Sequence, residues 1–416
     1  MASIIRMASR IFILGAAILP AVAQVPCTTQ AKTELYAAIG PELVQYDLDL
    51  NAATLTKRGS VAVPEDVQEA AVLKAGPSQE YLYVAWSDGG PVKGVIPSGP
   101  HHHHGISAFL IDPASGALLP HGVPVMLPSR PTFITTDTSG THVLTAHNAP
   151  SSVNVIKIMP NGTLGATVPQ PAGLDFGVFG HQVRADPSGK TIFLVARGNA
   201  PTDTRSGDPG AIKIFSYKDG ILGNLLSIAP GGGLDYQVRH LDFDPSGRWV
   251  YATLEKQNRI HVYRRMPDGT LSAEPLFVRS TLMKTTPAGT GQAASIHVHP
   301  NGKFVYVANR TLDGRGENTI AVFSINEQTG EPNLIQSLAT RGFEARTFTL
   351  DSCGKILAVG NQQAGTIRDS AGNATMVPAS ITLFRIGGGR LEFARKYDVE
   401  TTADRSLFWV RVVTLP

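Results

Sequence analysis

Phe243-Asp244-Pro245-Ser246-Gly247-Arg248-Trp249-Val250-Tyr251-Ala252 packs an apolar residue, a tight turn and a strand into ten positions. Asp, Pro and Ser open the turn, Gly supplies its positive φ, and the run that follows is rich in β-branched and aromatic residues, so the segment reads as a β-hairpin. The same plan returns at Ala185-Asp186-Pro187-Ser188-Gly189 before Ile192-Phe193-Leu194-Val195, and at Val298-His299-Pro300-Asn301-Gly302 before Phe304-Val305-Tyr306-Val307. Looser copies stand at Thr136-Asp137-Thr138-Ser139-Gly140, at Leu350-Asp351-Ser352-Cys353-Gly354, and at Gly76-Pro77-Ser78-Gln79 before Tyr81-Leu82-Tyr83-Val84.

The five intervals from Gln79 to Gly354 average 55 residues, room for four short strands and their turns. Four-stranded antiparallel units at this period predict an all-β fold, a β-propeller. Chain remains at both ends. Leu35-Tyr36-Ala37-Ala38 and Leu43-Val44-Gln45-Tyr46-Asp47 read as the second and third strands of a unit without an inner strand, and Leu407-Phe408-Trp409-Val410-Arg411-Val412-Val413 is a spare strand. Joining them makes seven blades, the first closed by the C-terminal strand, which also hides a sheet edge.

Residues 1–23 stand apart from this pattern. Arg6 and Arg10 form a basic start, Ile11 to Leu19 a short apolar core, and Ala21-Val22-Ala23 a small-residue cleavage site, the layout of a signal peptide. The core is too short to span a bilayer. The expected mature protein is one propeller domain, residues 24–416, exported to the periplasm or the cell exterior. Removing Arg6 and Arg10 lowers the net charge from +3 to +1 over about 390 residues, which attracts neither nucleic acid nor membrane. Cys27 and Cys353 are the two cysteines; export permits a disulfide between them, and two unpaired thiols is the alternative.

The repeat also locates a candidate site. In each hairpin the residue before the inner strand and the residue after the second strand lie at one end, opposite the turn. Eight positions before the turn residue stand Ala71, Thr132, His181, Arg239, Ala294 and Arg346; eight after it stand Ser87, Asn148, Arg197, Glu255, Arg310 and Gln362. Four arginines, one histidine and one carboxylate make this end of the channel a cationic ring, suited to a small anion or a developing oxyanion. His181 or His240 suits a general base, and Glu255 a water-activating or proton-shuttling acid; a purely structural salt-bridge belt between blades is the competing reading of Glu255.

At these residues the chain resembles the seven-bladed propeller lactonase family, which includes propeller-type 6-phosphogluconolactonases and fungal carboxy-cis,cis-muconate cyclases. Gln237-Val238-Arg239-His240 with Val250-Tyr251-Ala252-Thr253-Leu254-Glu255 carries one motif, Ser295-Ile296-His297-Val298-His299-Pro300 with Asn309-Arg310 a second, and Ala345-Arg346-Thr347-Phe348 with Asn361-Gln362 a third. The sequence departs from the family in Val238, where Pro is usual, and Asp244, where His is common. The resemblance implies a catalytic cluster at Arg239, Glu255, His181 and Arg346, with Arg197, His240, Arg310, Gln362 and Asn148 binding substrate. It implies hydrolysis of a small acidic or sugar-derived lactone, or lactone formation by a muconate-type cycloisomerase. The competitor from another class is a non-catalytic propeller that binds a small anion or a protein partner.

No cofactor or metal is expected. Gly289-Thr290-Gly291-Gln292 precedes a strand instead of opening a helix, and neither a Gly-x-Ser-x-Gly elbow nor a His-Glu-x-x-His helix occurs. His101-His102-His103-His104 reads as an exposed polar loop on the cationic side. The connections 198–210, 279–293 and 364–379 read as loops, the first and third on that same side.

Overall fold

The computed structural model describes residues 31–75, 79–90, 102–283, 291–311, 316–368 and 373–415. Residues 1–23, read above as a signal, lie outside them. The described chain forms seven sheets, six four-stranded and one five-stranded, plus one separate two-stranded hairpin. The innermost strands, in blade order, are Leu407–Thr414, Asp66–Lys74, Pro131–Thr136, Gly180–Ala185, Val238–Phe243, Gln292–Val298 and Phe343–Leu350. Each touches the next, and the last returns to the first, so they wall a central channel. Among the described residues no helix is long and apolar enough to cross a membrane.

Blade 1 closes as the sequence predicts. The C-terminal strand pairs antiparallel with Thr33–Ile39, setting Ala37 opposite Val410 and Leu35 opposite Val412. A hydrophobic cluster fills each boundary between blades; the one between blades 7 and 1 holds Leu35, Ala37, Ile356, Leu383, Val410 and Val412, and the next holds Tyr36, Leu43, Val84, Phe109 and Trp409. Burial is thus between sheets, and a blade alone has both faces unpaired.

The turns follow their residue types. Gly189, Gly247, Gly302 and Gly354 adopt φ of 71°, 69°, 72° and 64°, where a Cβ would be strained. The Asp186 and Asp244 carboxylates accept the Ser188 and Ser246 amides at 2.9 and 3.1 Å. His299 replaces Asp in blade 6, its Nδ1 accepting the Asn301 amide at 3.1 Å. Asp186 also pairs with Arg265 of blade 5. Further stitches recur along the second strands: the hydroxyls of Tyr36, Tyr83, Tyr251 and Tyr306 donate to the Gly116, Gly162, Gly330 and Gly389 carbonyls at 2.7, 2.9, 2.9 and 2.9 Å. Each reaches an outer turn of the following blade, so a buried ring is packed and its polar tip satisfied.

Every inner strand carries a register shift near its start. The extra residue is Phe408, Gln68, Thr132, His181, Arg239 and Arg346 in blades 1 to 5 and 7, and in blade 6 Ala294 and Ser295 share it. A β-bulge re-aims its side chain out of the alternating pattern. The count of eight before the turn therefore finds the bulge in every blade that has a turn glycine. It misses blade 2, where Ala71 pairs regularly with Tyr83 and the bulge lies at Gln68.

Two loop expectations need correction. Within 364–379, Gly365–Arg368 pairs with Ala374–Val377 as a separate hairpin, with β-branched Ile367 opposite Thr375 and Thr366 opposite Met376. Of the histidine tract, His101 lies outside the described residues, and His104 is a buried strand residue, held by Ser87 Oγ at 2.8 Å from its Nδ1. Cys353 is disulfide-bonded, and Cys27 lies outside the described residues.

Candidate functional site

The bulges put His181, Arg239 and Arg346 at one channel end, where Arg197, Glu255 and Arg310 arrive from the ends of second strands. Glu255 stands just past the second strand of blade 5, its amide bonded to the Gln237 carbonyl at 2.8 Å and its carbonyl to the Ala293 amide at 2.8 Å. Backbone from blades 5 and 6 thus fixes this buried carboxylate. Three arginines close on it: Arg197 Nη1 at 2.7 Å from Oε2, Arg310 Nη2 at 2.8 Å from Oε1, and Arg239 Nε at 3.2 Å from Oε1. They come from blades 4, 6 and 5, so the cluster is also a belt across blade boundaries.

Arg310 reaches further, to Glu344 of blade 7 at 2.5 Å and to the Gln292 side chain at 2.6 Å. Phe179 stacks beneath Arg197, the guanidinium carbon 4.0 Å from the ring centroid. Phe179 and Glu344 each sit two residues before a bulge, in left-handed backbone with φ of 61° and 52°. Such non-glycine strain concentrates where side chains must be aimed.

Three arginines share two carboxylates, and two further arginines have none. Arg346 makes no ion pair with a described carboxylate; its guanidinium carbon lies 4.4 Å from the centre of the Phe408 ring. Arg130, two residues before the blade 3 bulge, is buried and held by one neutral partner, the Gln68 side-chain oxygen at 2.8 Å from its Nε. The sequence reading did not include Arg130, Gln292 or Glu344. Extending the count from eight to ten before the turn residue reaches all three.

His181 and His240 lie against this charge, their ring centroids 5.1 Å apart. Burial, then Arg239, Arg197, Arg346 and Arg130, push the His181 pKa well below the usual imidazole value. Burial, then Arg239, His181 and Arg346, do the same to His240. Both are neutral at physiological pH, and His181 Nδ1 is buried without a partner. Burial would raise the Glu255 carboxyl, but Arg310, Arg197 and Arg239 overcome it and hold the group far below the usual carboxylate range. Burial lowers Arg239 to about 10 and Arg130 to about 10.

Of the remaining predicted residues, Asn148 ends the second strand of blade 3, buried with neither side-chain polar atom partnered. Gln362 is turned to the next blade, its Nε2 donating to Ser406 Oγ at 3.3 Å. The arrangement as a whole presents positive charge without counter-ions beside a neutral imidazole.

Comparison with known proteins agrees with the fold. The family described as "Lactonase, 7-bladed beta-propeller" matches residues 31–375. A 6-phosphogluconolactonase of Bacillus subtilis is 28% identical over 288 residues, covering 67% of this chain and 78% of that protein. One of Pectobacterium carotovorum is 27% identical over 320 residues, covering 74% and 82%. Among solved structures, a periplasmic gluconolactonase of Pseudomonas aeruginosa superposes with a TM-score of 0.71 at 18% identity, covering 93% of this chain and all of that one. A Lactobacillus plantarum protein superposes with a TM-score of 0.64 at 20% identity, covering 92% of this chain.

Proposed function

The chain belongs to the lactonase family of seven-bladed β-propellers and is a lactonase-type carboxylic ester hydrolase, and we propose that it opens a sugar-acid lactone at the arginine-rich end of its channel. The observation that carries this reading is the pair Arg346 and Arg130, charged and without carboxylate partners, beside neutral His181. In this reading His181 takes a proton from water as the oxygen attacks the lactone carbonyl, and returns it to the ring oxygen as the acyl C–O bond breaks and the ring opens. Arg346 and Arg239 stabilise the oxyanion and then the product carboxylate, where partly dehydrated donors act most strongly. His240 supports His181, and Arg130 and Asn148 contact the sugar hydroxyls or an acidic substituent.

Glu255 is in our reading an organiser. A carboxylate held by three guanidinium groups is too weakly basic to accept a proton at neutral pH, and it sets the spacing of Arg197, Arg239 and Arg310. As the attacked carbonyl oxygen gains negative charge it offsets the positive field on His181, so the imidazole becomes more basic as it takes the proton.

The signal-like residues 1–23 and the single domain 24–416 favour action outside the cytoplasm, and therefore an unphosphorylated aldonolactone. The test is hydrolysis of gluconolactone, 6-phosphogluconolactone and muconolactone, each read by proton release above the spontaneous rate. Gluconolactone is expected to turn over, and Arg346→Met to lower kcat/KM about 100-fold, the scale of losing one oxyanion donor. No turnover of any lactone by the wild type would leave a binding protein, and the hydrolase mechanism would fall.

A further inference from the structure

Below the ring the channel holds a second constellation that the lactone chemistry leaves unused. A cavity of about 540 Å³ runs from His240 and Gln182 toward Lys74, Asp137 and Thr138 at the turn end, and neither Arg239, Glu255 nor Arg346 lines it. Three residues past the bulge positions the inner strands supply Arg184, Asp242, His297 and Arg411. All four line the cavity.

Three of them satisfy one another. Asp242 Oδ1 accepts Arg184 Nη2 at 2.9 Å, and Oδ2 accepts the Val298 amide at 3.0 Å with His297 Nδ1 at 3.7 Å. This network ties blades 4, 5 and 6, and it consumes the Asp242 carboxylate. Arg411 of blade 1 is left over. It is solvent-accessible in the channel wall, and it makes no hydrogen bond or close ion pair with any described residue. Glu69 of blade 2 acts on it only at a distance, and burial pushes the Glu69 carboxyl up to about 7, which weakens it as a counter-ion at neutral pH.

We propose that this channel cavity is a second ligand site, binding a small organic monocarboxylate whose oxygens take the Arg411 guanidinium. A planar guanidinium fork matches a carboxylate in shape as well as charge. One unmatched positive charge calls for a monoanion, and the volume is that of a small-molecule pocket. Lys74, Asp137 and Thr138 carry its lining to the turn end, away from the catalytic ring. Trp409, in the same wall, reports occupancy by its fluorescence.

The probe is gluconate, titrated into the full chain and followed by tryptophan fluorescence. In Arg346→Met, where the ring site is disabled, a saturable change is expected to remain. Adding Arg411→Met is expected to weaken it at least tenfold, while Arg411→Met alone leaves gluconolactone hydrolysis within twofold of wild type. Ala71→Phe, which fills the same cavity, is expected to remove the change as well, and it decides the matter if the Arg411 variant does not fold. Equal titrations of Arg346→Met with and without the channel substitution would overturn the site. Loss of hydrolysis in Arg346→Met with the channel signal intact keeps the two sites distinguishable, as does a channel signal in a protein that hydrolyses no lactone.

Discussion

His181 and Glu255 divide the work that two acid-base groups would otherwise share, and the division shows in pH dependence. The His181 pKa in the free enzyme is held well below the ordinary imidazole value by burial and four arginines. A general base must be deprotonated, so kcat/KM is expected to stay flat as pH falls through about 6.5 and to drop only well below it. His181→Asn is expected to cost about 100- to 10,000-fold in kcat and to abolish that acid limb. A limb centred at the ordinary value would remove His181 from the role. Glu255→Gln separates organiser from proton carrier. It strips the buried Arg239 and Arg310 and the partly exposed Arg197 of a shared partner, a class of change that costs about 3–5 kcal/mol of stability. With less negative charge nearby, the His181 pKa falls further, so the acid limb should persist in this variant and move to lower pH. If the limb disappears while the fold is retained, Glu255 carries the proton.

At the scale of elements, the turns were legible and the bulges were not, for a physical reason. A turn that needs φ near +70° demands glycine, so Gly189, Gly247, Gly302 and Gly354 mark themselves. A bulge demands only one extra residue of any type, here Phe408, Gln68, Thr132, His181, Arg239 or Arg346. Counting from the turn reached the bulges indirectly and failed in blade 2, where the loop lacks a glycine in the shared position; eight before Gly76 is Gln68. Arg130 and Glu344 were missed because they stand two residues earlier, one a buried arginine held by an amide and one in left-handed backbone. The tyrosine stitches are the elements' own contribution to stability. Tyr306→Phe leaves the Gly389 carbonyl without its 2.9 Å partner, and chemical denaturation is expected to show a loss of about 1–2 kcal/mol with lactone hydrolysis unchanged. No measurable loss would mean that the carbonyl finds another donor and that packing alone joins blades 6 and 7.

At the scale of the whole molecule, the repeat places three rings along one axis: aiming residues two before the bulge, the bulge residues themselves, and channel residues three after it. Each ring draws its residues from several blades, so function depends on the circle being closed. The closure is a strand of eight residues, Leu407–Thr414, which supplies Phe408 to the bulge ring, Arg411 to the channel, and Val410 and Val412 to the core beside blade 7. Without it Thr33–Ile39 is an uncovered edge between two exposed hydrophobic faces, a template for aggregation. Deleting residues 407–416 is therefore expected to give insoluble protein. The strand need not arrive from the C-terminus, because Leu415 donates its amide to the Lys32 carbonyl at 2.9 Å and the two segments run antiparallel. A permuted chain that begins at Thr401, runs to Pro416 and enters Cys27 through a short glycine-serine loop keeps every pairing of blade 1 as a hairpin and retains both cysteines. It is expected to fold, to keep kcat/KM on gluconolactone within a fewfold, and to gain a lower contact order in that blade, with faster refolding. If the permuted chain is as insoluble as the truncated one, the C-terminal strand does more than close the ring, and the order in which the blades assemble has to begin from it.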